Sequence, residues 1–341
     1  MVGMLHFDWM PAYAGMTGKR MCGLLLPAWI SSIVSIVLLL AACGSAPPPQ
    51  PAVVTATRDA MSLGMQAYAD NRYLEARNYF ERALVQYRSV DDRGGQLDAL
   101  VDLADSALGQ GEPAAARSYL GAADKLLATS SDSTQASHVA LLHAYADLQA
   151  GDNQQAVARL DALLDNTATP EPIRQAALLA RTQCAFNLHA TDTHAWLAKL
   201  EATTGIHAEL ASEARYLRLK ALAARQANDN AQASELYRQA LDRYRSQYNR
   251  PGIAATLEEW ADLSVSQQDW PAARDRLGRA LPIRLWLYDR NHAEKDLRVL
   301  SRVDAALGNE TASKQDLKLA DYLGNGGDPA QLTALGQTRP E

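Results

Sequence analysis

The chain has 341 residues, 48% hydrophobic and 21% charged, with 33 basic against 39 acidic residues and a net charge of −6. That apolar share is enough to build a buried core, and the acidic balance argues against nucleic acid as a partner. No HExxH, GxSxG or phosphate-cradling glycine loop occurs, so the common hydrolase and nucleotide-binding motifs are missing.

In chain order, the first fifteen residues place Asp8 and scattered aromatics ahead of any positive charge, which a signal peptide does not do. Starting at Met16 instead puts Lys19 and Arg20 directly before the apolar run Gly23 to Ala42, so 1–42 is expected to be the signal segment, with 1–15 lying upstream of a true translation start at Met16. The run ends in Leu40-Ala41-Ala42-Cys43, which resembles the lipobox of bacterial lipoproteins. That resemblance implies cleavage before Cys43, its acylation (the palmitate-type modification), and an anchor in the outer membrane facing the periplasm, because Gly44 stands where an inner-membrane retention Asp would be. Several acyl chains on one residue hold a protein on a membrane stably. Losing the signal removes two basic residues and one acidic, shifting the net charge from −6 to about −7. With Cys22 removed and Cys43 lipidated, Cys184 has no disulfide partner. Residues 43–56 contain three consecutive prolines and read as a semi-rigid tether.

From Thr57 onward one pattern repeats at a beat of about forty residues. Segments opening at Asn71, Gly111, Gly151, Asn228, Gln268 and Gly308 each carry a small residue five positions on: Ala76, Ala116, Ala156, Ala233, Ala273 and Ser313. Four further on comes a larger apolar one: Phe80, Leu120, Leu160, Tyr237, Leu277 and Leu317. The segment before each motif is helical by pattern, as in Leu97 to Leu108, where Leu100, Val101, Leu103, Ala104, Ala107 and Leu108 share one face. Each unit is therefore a helical hairpin with a Gly or Asn turn, and Pro113 and Pro271 fall in the first turn of a second helix, where proline is tolerated.

The residues Leu63-Gly64, Ala67-Tyr68, Asn71, Tyr73, Ala76, Phe80 and Ala83-Leu84 resemble the tetratricopeptide repeat, and the chain is similar to a repeat lipoprotein of a Gram-negative bacterium. The resemblance implies an all-α, right-handed superhelical solenoid of about seven hairpins over 57–323, and the Gly- and turn-rich residues 324–341 are expected to form a flexible tail. The fourth unit departs from the beat. Thr191 to Thr204 puts Trp196 at the small position and the next motif begins early, which predicts a bend or junction with three hairpins on each side.

In that family, peptides lie along the concave surface formed by the first helix of each hairpin. Transferring its lining positions gives Met61, Met65 and Tyr68; Val101, Asp105 and Leu108; Leu141, Tyr145 and Leu148; then Arg218, Leu222 and Arg225; Glu258, Asp262 and Val265; and Arg298, Arg302 and Ala305. The groove is expected to be apolar, with Met and Tyr, before the fourth unit and charged after it; the alternative for the apolar set is core packing. Met61 and Met65 replace the Lys and Asn that clamp a terminal carboxylate in chaperone-binding members, which speaks against that activity. Arg215, Arg218 and Arg225 share a helix face and suit either an acidic partner or plain solvation.

Chemical candidates are few. His189 and His194 around Asp192 invite a metal site but read better as a surface loop, His143 reads as a satisfied packed residue, and Cys184, with Arg181 three residues away, as an inert thiol. No catalytic residue, metal or cofactor is assigned. The expected function is a periplasmic scaffold or adapter for another envelope protein, of the pilus- and secretin-assembly or peptidoglycan-enzyme type. The alternative is an envelope enzyme or ligand-binding lipoprotein using the fourth unit.

Overall fold

The computed structural model describes residues 52–129, 132–203 and 210–335. The signal segment, Cys43 and the tether as far as Pro51 lie outside the described residues, as do 336–341. The described residues contain no strand. Fourteen helices pair as seven hairpins: α1 (Ala52–Ala69) with α2 (Tyr73–Ser89), α3 (Arg93–Gly109) with α4 (Pro113–Leu127), α5 (Ser133–Gln149) with α6 (Asn153–Asp165), and α7 (Glu171–Asn187) with α8 (Thr193–Glu201). After the fourth come α9 (Leu210–Gln226) with α10 (Asn230–Ser246), α11 (Arg250–Ser266) with α12 (Trp270–Trp286), and α13 (Arg290–Ala306) with α14 (Glu310–Gly324); α15 (Pro329–Leu335) ends the row. The all-α solenoid expected from the forty-residue beat is the fold observed.

Each hairpin turn is made the same way. One residue adopts positive φ: Asn71, Gly111, Gly151, His189, Asn228, Gln268 or Gly308. The next N–H then reaches back over the helix end to a carbonyl, as from Arg72 to Ala67 (2.8 Å), Glu112 to Ala107 (2.9 Å) and Asp269 to Ser264 (2.9 Å). This satisfies one of the carbonyls that a helix terminus leaves open. Asp229 and Asp269 then cap the following helices through the N–H groups of Gln232 and Ala272.

Packing follows the motif with two exceptions. Ala76, Ala116, Ala156, Ala233 and Ala273 are fully buried, as are Phe80, Leu120, Leu160 and Tyr237, and Leu277 nearly so. The small residue lets the paired helices approach and the large one fills the space between hairpins. Leu317, in the seventh hairpin, is 44% exposed, because among the described residues no further hairpin covers that face. In the fourth unit the packed face of α8 is Thr193, Leu197 and Leu200, so Leu200 fills the expected large position while Trp196, at the small position, is only half-buried. Trp196 is displaced to the side, its indole under the Arg181 guanidinium (4.2 Å) and the Lys199 amine (4.1 Å), with Nε1 donating to Asp192 (2.8 Å). The core divides here: one apolar cluster runs from Ala67 to Cys184, and a separate one joins Leu178, Phe186, Leu197 and Leu200 to Tyr216, Leu219 and Leu222.

Two boundaries differ from expectation. Helix α1 begins at Ala52, so the last residues of the expected tether are already helical. The expected flexible tail contains α15, which packs on α12 and buries Leu332 to 3% exposure, while Tyr322 donates its hydroxyl proton to Gln331 (2.6 Å). An apolar side chain with a dry site to fill orders that segment.

Candidate functional site

Successive first helices pack on one another, α3 on α5, α5 on α7, α7 on α9 and α9 on α11, whereas the second helices pack mainly on their sequence neighbours or, for α12, the terminal α15, with side-chain bridges such as Tyr119 of α4 to Glu81 of α2 (3.1 Å). The first helices therefore occupy the inside of the curve, as the resemblance implies. The coil is tight. Asn71 Nδ2 donates to the Tyr248 carbonyl (3.3 Å), Arg250 Nη1 to the Asp70 carbonyl (3.1 Å) and Asn291 Nδ2 to the Gly111 carbonyl (2.7 Å). The separations of 177, 180 and 180 residues are nearly constant, so the first two hairpin turns sit on the connections that lead into the sixth and seventh hairpins, edge to edge along a seam. Gly111 is required there twice over: its φ is +70°, and a Cβ would collide with the Asp289 carboxylate. A cleft of about 390 Å³ opens on the seam between Arg72, Leu74 and Glu75 on one side and Leu285, Trp286 and Tyr288 on the other, and Arg250 stacks on Trp286 at 4.0 Å.

Coiling this tight encloses the inner surface. Of the predicted groove residues, Val101, Asp105, Leu141, Tyr145 and Arg218 are buried, Met61, Tyr68 and Arg225 are half-buried, and Met65 is 55% exposed. Val101, Leu141 and Tyr145 belong to the N-terminal apolar cluster, against which Met61 and Tyr68 also pack. Arg218 is neither solvated nor waiting for an acidic partner, because it grips Glu259 through Nε (3.1 Å) and Nη2. Arg215 lies 5.6 Å from the Tyr145 ring centre and hydrogen bonds its hydroxyl (3.3 Å), joining helices on either side of the fourth unit.

Three groups that the sequence did not single out organise the buried charges. Arg284, 2% exposed, forks onto Glu258 (2.6 and 2.9 Å) and reaches Asp289 (3.1 Å). Asp289 also holds His292 Nδ1 (2.7 Å) and caps α13. The paired charges around it hold the Asp289 carboxyl below its ordinary value although burial opposes them. Arg77, Arg117 and Arg274, each one residue after the small motif residue, pair with Glu112, Asp147 with Asp152, and Asp304 of the next hairpin. That recurring arginine was a legible signal.

The N-terminal half of the inner surface differs in its charge. Asp98, Asp102 and Asp105 stand at i, i+4 and i+7 on α3. Burial, and then repulsion from Asp98, pushes the Asp102 carboxyl up to about 7, and burial with Asp102 nearby raises Asp105 well above the usual range. The chemical candidates hold no reactive arrangement. His189 and His194 are exposed, and among the described residues no three His, Cys, Asp or Glu side chains stand together as metal ligands. His143 is held by Asp124 (3.0 Å), and burial pushes the Cys184 thiol up to about 12, against a weaker pull from Arg181.

Among curated proteins none matches the chain. Among solved structures, BtubC (BKLC) from P. vanneervenii is similar at 15% identity with a TM-score of 0.32, over 86% of this chain and 95% of that one. Residues 57–123 match the tetratricopeptide repeat family. That segment covers most of the first two hairpins, whose turn, small residue and large residue recur along the row; the protein is one that contains tetratricopeptide repeats.

Proposed function

We propose that the protein is a scaffold that docks another protein of the bacterial envelope, held at the periplasmic face of the outer membrane by lipid on Cys43. The observation that carries the scaffold reading is the continuous inner layer of first helices, which presents side chains from at least five hairpins to one enclosed surface. Repeats of this kind act by binding proteins, and no reactive constellation competes with that role among the described residues. The anchor rests on Leu40-Ala41-Ala42-Cys43. Partners of the pilus, secretin or peptidoglycan-enzyme type suit an adapter placed there.

A photo-crosslinking residue at Met65 or Arg225, which are accessible, captures the partner in intact cells, whereas one at exposed Glu310 on the outer α14 does not. Capture from Glu310 alone would sink the inner-surface reading. Labelled palmitate enters the wild-type chain and is lost from Cys43→Ser; labelling that persists in the variant rules out the anchor.

A further inference from the structure

Several buried carboxylates of this protein hold an arginine. Glu258 and Glu259 bind Arg284 and Arg218, Asp147 binds Arg117 and Arg159, and Asp304 binds Arg274. Helix α3 breaks that habit. Asp98, Asp102 and Asp105 lie on one helix face along about 10 Å of axis. Among the described residues none of the three forms an ion pair, and only Asp98 accepts a side-chain hydrogen bond, from Gln135 (2.7 Å). Exposure falls along the row: Asp98 is exposed, Asp102 half-buried and Asp105 only 3% exposed. At the deep end Asp105 Oδ1 is buried with no hydrogen-bond partner. Tyr68, Tyr73 and Tyr145 stand near this end, with the Tyr68 and Tyr73 rings edge to face at 5.2 Å.

A buried carboxylate oxygen with no donor is costly, as Asp296 and Asp304 also show at one oxygen each, and on α3 that cost is joined by the mutual repulsion of three acids on one face. Both penalties vanish if a cation enters along the row. A lysine or arginine side chain fits that description: its stem runs past apolar and aromatic walls and its head reaches acceptors at the end. Charge complementarity names this occupant, since the row is acidic throughout and tyrosines stand at its deep end.

We propose that the Asp98, Asp102 and Asp105 row is the specificity site of the scaffold, taking a lysine or arginine side chain from the docked protein segment. This rests on the reading of the inner surface as the docking face. The same row sets what is refused: an acidic or neutral residue at that point of the partner leaves Asp105 unsatisfied.

The test is selection of a randomised dodecapeptide display library on the immobilised full chain in detergent. Three proteins are compared: wild type, Asp102→Asn with Asp105→Asn, and Asp275→Asn with Glu310→Gln, which removes the same charge from the exposed outer surface. The expected result is a peptide family with lysine or arginine fixed at one position. Its binding drops at least tenfold when that residue becomes norleucine, drops equally on the inner double variant, and is unchanged on the outer one. The inner variant should melt no lower than wild type, since it removes two uncompensated acids and keeps their shape. Selected peptides without a fixed basic residue, or basic peptides that bind all three proteins alike, overturn the proposal while leaving the scaffold reading intact. If wild type enriches no peptide family at all, both fail.

Discussion

At the residue scale, the interior charges divide into satisfied and unsatisfied groups, and each kind predicts a different response. Removing one partner of a closed pair strands the other. Arg218→Met leaves Glu259 buried alone and should cost about 3–5 kcal/mol, most of it recovered in the double variant with Glu259→Gln, because a neutral amide tolerates burial. Denaturant titration of the four proteins of that cycle gives the coupling; equal losses in the single and double variants would contradict it. Asp102 behaves in the opposite way. Its folded-state carboxyl lies near 7 rather than at its ordinary value, so the folded protein holds the proton more tightly than the unfolded chain does. The associated stability is fully present below about pH 4 and is lost as pH rises through about 7. Asp102→Asn should therefore match wild type at pH 4 and exceed it at pH 8 by on the order of 2 kcal/mol, read from urea unfolding at both values.

At the element scale, the hairpin turn is the repeating device, and one unit uses a poor residue for it. Gln268 carries φ +61°, where the other regular turns have Asn or Gly. A left-handed conformation costs an ordinary L-residue roughly 1–2 kcal/mol, so Gln268→Gly should raise the unfolding free energy by up to about 1 kcal/mol after the entropy lost by glycine. Denaturant unfolding that shows no gain would mean the turn is relaxed in solution. The turn spacing, the small residue and the large residue were all readable because they follow from local helix geometry. The fourth unit was readable only as a departure. The sequence placed Trp196 at the small position, yet α8 turns Thr193, Leu197 and Leu200 inward and leaves the indole over Arg181, since an indole between two paired helices does not fit. Which face a short helix turns inward depends on its neighbours, and no local pattern encodes it.

At the scale of the whole molecule, the seam decides how open the inner surface is. Three side-chain bonds to backbone carbonyls join segments 177 to 180 residues apart, and two of the donors, Arg250 and Asn291, lie on one side. Arg250→Ala with Asn291→Ala should loosen the coil without melting hairpins. Small-angle scattering should show a larger radius of gyration and hydrogen exchange should quicken at 70–75 and 248–252, with helical circular dichroism unchanged. An unaltered radius would mean that apolar contact at the seam, around Leu74 and Trp286, suffices to hold it.

The sequence by itself determined the number of hairpins, the turn positions and most of the core, because a solenoid is assembled from contacts close in sequence and its period is written in small, large and turn residues. It also identified which helix of each pair faces inward, through the resemblance to a known repeat. Only the tertiary structure decided the curvature, and with it the fate of the predicted groove: Val101, Leu141 and Tyr145 in the core, Arg218 locked to Glu259, and three aspartates of α3 left without a counter-ion among the described residues. Curvature is a small rotation repeated at every hairpin interface. Each step is set by side-chain volumes across the interface rather than by any one residue, and its sum brings Gly111 against Asp289, a contact between segments that no local pattern connects.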